Sequence, residues 1–60
     1  MLATEIQEHA RKLLEAHGDK AVAEAAHKAQ SLAESGNTAE ADVWRRIEKA
    51  MLQMRGPRST

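Results

Sequence analysis

The chain has no cysteine, phenylalanine or tyrosine, a single tryptophan, one proline and three glycines in 60 residues. Without cysteine there can be no disulfide framework, no thiolate metal site and no thiolate nucleophile. No apolar run approaches the length of a membrane span. Glu5 and Glu8 stand where a signal peptide would carry its apolar core, so a cytoplasmic protein is expected, without membrane attachment. No glycine-rich phosphate loop occurs. Alternation of apolar and polar residues never persists and β-branched residues are few, so no strand is expected.

What is present is alanine. Of the 25 hydrophobic residues, 12 are Ala. Alanine forms helix at little side-chain entropy cost but adds little burial energy. A chain of this length buries only about 60% of its unfolded surface. Helices should therefore form readily around a thin core, and association with a second copy, as a homodimer, or with a protein partner is expected.

The stretch 43–54 organises the rest. On a helix turning about 100° per residue, Val43, Trp44, Ile47, Ala50, Met51 and Met54 fall on one side, the stripe a core-facing helix needs. Arg45, Arg46, Lys49 and Gln53 fall on the other. Upstream, Leu2, Ile6, Ala10, Leu13 and His17 share a face, with Leu14 at its edge. Val22, Ala25, Ala26, Ala29, Leu32 and Ala33 form a second, alanine-rich face. The expected core is Ile6, Leu13, Val22, Leu32, Val43, Trp44, Ile47 and Met51, with Trp44 lying over the alanine face.

Punctuation divides the chain into three helices near 4–17, 19–35 and 38–54, an all-α three-helix bundle built around a helical hairpin. Thr4 with Gln7 has capping-box spacing. Gly18 is placed as a left-handed stop, followed by Asp19 as N-cap. Gly36 ends the second helix, and Asn37 or Thr38 caps the third, Asn37 with Glu40 again at capping-box spacing. Gly56-Pro57 ends the last helix. This gives one domain over 1–56 and a polar tail at 57–60.

Chemistry-bearing constellations are sparse. His9, His17 and His27 include no i, i+4 pair, and no HExxH occurs, so no metal site is expected. His17, at the end of the first helix, reads as a helix-end cap. Ser31, Ser35 and Ser59 lack the strand–turn–helix setting of a nucleophile elbow. Glu8, Glu15, Glu24 and Glu34 belong to solvent faces. A domain this small offers little room for a catalytic pocket. No catalytic residue, cofactor or enzymatic activity is expected.

Charge is balanced overall but not along the chain. Residues 1–42 carry four bases and eight acids; residues 43–60 carry five bases and one acid. Acids early and bases late complement helix dipoles. The same asymmetry could also form a basic face for an acidic partner. Leu52 lies off the main stripe, flanked by Arg45, Lys49 and Arg55, an apolar spot with a basic rim suited to an acidic amphipathic helix, and with Arg46 these are the candidate partner-binding residues. Leu14 and Ala23 also lie outside the tightest arcs. The expected function is protein–protein interaction or self-assembly. The alternative is nucleic-acid binding through Arg45, Arg46 and Lys49, since a helix-turn-helix protein reads DNA with its last helix. Neutral balance, the acids Glu40, Asp42 and Glu48 on the same helix, and the lack of a basic arm weigh against it.

Two resemblances arise from these residues. Ala29, Leu32, Gly36 and Ala41 are spaced similarly to a tetratricopeptide helical hairpin, but Trp44 is out of register with that family's later large residue. One hairpin without neighbours makes no solenoid, so this resemblance reduces to hairpin packing. The runs His17-Gly18-Asp19, Ala25-Ala26, Glu34-Ser35-Gly36-Asn37 and Val43-Trp44-Arg45-Arg46-Ile47 together resemble a group of short bacterial, alphaproteobacterial, three-helix proteins with no assigned activity. That resemblance implies the fold and transfers no catalytic residue.

Overall fold

The structure, a computed structural model, describes residues 3–55. Leu2, the Gly56-Pro57 stop and the 57–60 tail named above lie outside them. Three helices, α1 (Ala3–His17), α2 (Lys20–Glu34) and α3 (Thr38–Arg55), pack against one another with no strand among the described residues. The bundle is all-α, as composition and punctuation lead one to expect. α2 and α3 form the most extensive contact. α1 rests mainly on α3 and touches α2 least.

Both joints are made by glycine, for the reason expected. Gly18 has φ +64° and Gly36 φ +90°, left-handed conformations that glycine adopts without Cβ strain. At the second joint the Asn37 N–H bonds the Leu32 carbonyl at 2.8 Å and the Gly36 N–H bonds the Ala33 carbonyl at 3.1 Å. This reciprocal pair is the Schellman arrangement that satisfies the last carbonyls of a helix. The Ser35 hydroxyl donates to the Leu32 carbonyl and accepts from the Asn37 amide, tightening the turn.

Three of the capping assignments are corrected. α1 already includes Ala3, so Thr4 lies inside the helix and not at its cap. Asn37 holds the N-cap position of α3, its carbonyl accepting the Ala41 N–H at 2.9 Å, but its side chain turns back to Ser35 and not toward Glu40. Asp19 precedes α2 with helical dihedrals, φ −61° and ψ −25°, and makes no side-chain cap bond. A capping side chain needs an extended backbone to reach the free N–H groups; Asp19 lacks it. Its carboxylate instead accepts from Arg55 Nη1 at 3.2 Å, tying the start of α2 to the end of α3.

The core is thin. Among the described residues, only Ile47 and Met51 of the side chains larger than alanine are fully enclosed, and Ile6 is nearly so. Ala10, Ala21, Ala25, Ala29 and Ala41 complete the buried set. Ala21, Ala25 and Ala29 recur every fourth residue on α2. With no side chain beyond Cβ, they let α3 approach closely, and Ile47 and Met51 of α3 share one cluster with Ala21 and Ala25.

Other expected core residues sit at the margin. Leu13, Val22, Val43 and Trp44 are half-buried and packed against the cluster, and Leu14, expected at the edge, joins them. Leu32 is half-buried but lies outside the cluster, on the side of α2 that carries Lys28 and Ser31. α2 is also turned relative to expectation: Ala21 is buried and Ala33 exposed. Met54, placed on the core stripe by its spacing, is 39% exposed because it lies near the end of α3.

Candidate interaction surface

Arg45 and Leu52 are seven residues apart on α3, two helical turns, and so share a face. Leu52 is 45% exposed; it and Met54 are the large hydrophobic side chains left in solvent among the described residues. They occupy different sides of α3. Met54 borders a notch against α1, with Thr4, Gln7, Glu8 and Arg11. Leu52 stands on the outer face, one turn from Glu48, Lys49 and Arg55.

The basic residues around it are mostly engaged. Arg45 Nη1 donates to Glu48 Oε1 at 3.3 Å, one turn along the helix. Arg46 Nε lies 3.0 Å from Asp42 Oδ2, four residues back. Arg55 is held by Asp19. Lys49 has no such carboxylate among the described residues; it borders a shallow groove between α1 and α3 with Ile6, Gln7, Arg46, Ala50 and Gln53. The five residues singled out on the last helix thus share α3, but three of their four cations are neutralised within the chain. The local sequence contains the i, i+3 and i, i+4 spacings that pair Arg45 and Arg46. It holds no signal for Arg55 with Asp19, which are 36 residues apart.

A second cluster forms where all three helices converge on Trp44. Its ring centroid lies 5.4 Å from that of His9 on α1, the planes inclined at 59°. Lys28 of α2 places its Nζ 5.5 Å from the indole centroid, in cation–π range. Trp44 therefore bridges α1 and α2, and packs against the cluster that contains Ala21 and Ala25 of α2. The sequence marks His9 only as a candidate metal ligand and Lys28 not at all; nothing local places either beside Trp44. Glu40, Val43 and Ile47 line the notch beside the indole. The His17 side chain is exposed and faces Glu24 across the first joint, Nδ1 3.7 Å from Oε1, rather than capping the end of α1.

The outer side of α2 presents a shallow strip formed by Ala23, Glu24, His27, Lys28, Ser31, Leu32 and Ser35. Six of the seven belong to α2 and Ser35 is its C-cap, so the strip has a floor and no opposing wall. Among the described residues no three His, Asp or Glu side chains are gathered to hold a metal ion. No helix among them is long and apolar enough to cross a membrane.

Fold and surface define a small all-α three-helix protein whose last helix, among the described residues, leaves Leu52 exposed on its outer face and Met54 exposed toward α1. No protein-family model matches the chain, and no curated protein or solved structure matches it either.

Proposed function

We propose that this protein is a non-catalytic interaction module, acting by helix-on-helix contact with another protein or with itself. The observation that carries this reading is Leu52, 45% exposed on the outer face of α3 within a ring of charged residues. A lone large apolar side chain inside a polar rim has the anatomy of a docking anchor. The ion pairs around it are exposed, and such pairs contribute little each. A partner's carboxylates can therefore replace Glu48 or Asp19 as acceptors at small cost. The zero net charge and the acids Glu40, Asp42 and Glu48 on the same helix weigh against nucleic-acid binding.

The test compares wild type, Leu52→Glu and an Arg45/Arg46/Lys49 triple alanine variant for partner capture across a salt series. Leu52→Glu is expected to weaken docking by about 30-fold or more, the effect of losing a central anchor. Salt should change wild-type binding only mildly. Nuclease-sensitive binding that falls steeply with salt and ignores Leu52 would overturn the proposal in favour of nucleic acid.

A further inference from the structure

Gly18 alone separates α1 from α2 as a break in helical conformation. Its φ is +64°, while Asp19 immediately after it is already helical at φ −61° and ψ −25°. On the other side, the Gly18 N–H bonds the Leu14 carbonyl at 2.7 Å, as the next residue of a continuing helix would. Moving this one residue from the left-handed to the right-handed region joins 3–17 to 20–34 in a single long helix. No space is contested by the change of residue type either: a Cβ at Gly18 would meet nothing within 4 Å. The second joint is built differently. Asn37 lies outside both helices, and Leu32, Ala33 and Ser35 hold that turn through backbone and side-chain bonds.

Straightening costs α1 little against α2, which it touches least. The exposed contact of His17 with Glu24 bridges the joint and is screened by solvent. The real loss is Ile6 and Ala10 from the cluster they form with Ile47 and Met51. That vacated face has one known occupant, α1 itself. A second copy opened in the same way carries an identical α1, free to run antiparallel to the first copy's α2 and to rest on its α3. Every buried contact is then remade between chains.

We propose that this protein self-assembles by exchanging α1 between two copies, with Gly18 as the hinge. This rests on the self-association side of the function proposed above and names its geometry. The two long helices lie antiparallel about a two-fold axis, each flanked by its own α3. Exchange of an identical element is a low-cost route to a dimer, since monomer and dimer differ only in hinge conformation and in the entropy of association.

The test is Gly18→Ala, which penalises the left-handed joint and favours a continuous helix. Together these effects shift each chain toward the open form by roughly 30-fold. Sedimentation should show a dimer where wild type at the same concentration is monomeric. Gly18→Asn, which tolerates the left-handed region, should stay close to wild type, and Gly36→Ala should lower stability without producing dimer. Exchange itself is read by mixing chains carrying Gln7→Cys with chains carrying Gln53→Cys, positions that border one groove between α1 and α3. In the exchanged dimer they oxidise to a disulfide between two different chains. The same mixture without the Gly18 change, incubated at high concentration, should form this link slowly.

A Gly18→Ala protein that stays helical and monomeric would overturn the proposal, as would a dimer that forms no mixed disulfide. If Gly18→Ala fails to fold, absence of the mixed link in the wild-type background overturns it equally. Leu52 lies on the outer face of α3, so its substitution leaves exchange untouched, and failure of one test does not decide the other.

Discussion

Ile47→Ala is expected to cost about 3–4 kcal/mol, within the range for deleting a buried aliphatic side chain when the surroundings collapse only partly. Among the described residues, Ile47 and Met51 are the two large side chains wholly removed from solvent. A domain of this size holds about 3–9 kcal/mol in total, at the usual stability per residue. The single change therefore removes a third or more of what keeps the chain folded. Thermal or urea unfolding followed by far-ultraviolet circular dichroism measures it. Leu52→Ala is the matched control: it removes a similar volume from an exposed site and should stay within about 0.5 kcal/mol of wild type. Equal losses at both positions would mean that Ile47 does not anchor the core.

Ala25→Leu tests the other half of the packing. Ala25 is 1% exposed on the strip through which α2 meets α3. Here the small residue sets the distance between helices, and three added carbons have nowhere to go. Overpacking of this kind costs about 1–3 kcal/mol and sometimes more, because side chains leave their rotamers or the helices separate. The prediction runs against propensity, since Leu is a good helix former. Ala23→Leu, two residues away on the opposite, exposed face of α2, should be close to neutral. If Ala25→Leu stabilised the protein, the interface would contain unfilled space and the close approach of the two helices would be refuted.

The helices were legible because their punctuation is local. Gly18 and Gly36 act on their own backbone, and no distant contact is needed to see a left-handed stop in each. Ile47 and Met51 were legible because α3 mixes large apolar and charged residues with a clear period. α2 was harder to orient. Its alanines at 21, 23, 25, 26, 29 and 33 form several overlapping stripes of nearly equal apolarity, and only packing against α3 decides that Ala21 goes in and Ala33 stays out. Asp19 misled for a related reason: its residue type and place after Gly18 fit an N-cap, but a partner 36 residues away claims its carboxylate. Trp44 was visible as the one aromatic side chain, while its neighbours His9 and Lys28 come from two other helices, which no local pattern brings together. On the interaction surface, Leu52 stood out by its displacement from the core stripe. The neutralisation of its basic rim depended partly on the same long-range pair.

Among the described residues the core encloses two large side chains and leaves half-buried apolar flanks; the self-association proposed above would cover such flanks and couple folding to assembly. The most direct measurement is the thermal midpoint of the wild-type protein over a hundredfold range of its own concentration. Coupled assembly raises the midpoint with concentration, here by about 5–10 °C for a chain of this size. A sharp transition whose midpoint does not move with concentration, in a protein that sediments as a monomer throughout, would contradict it.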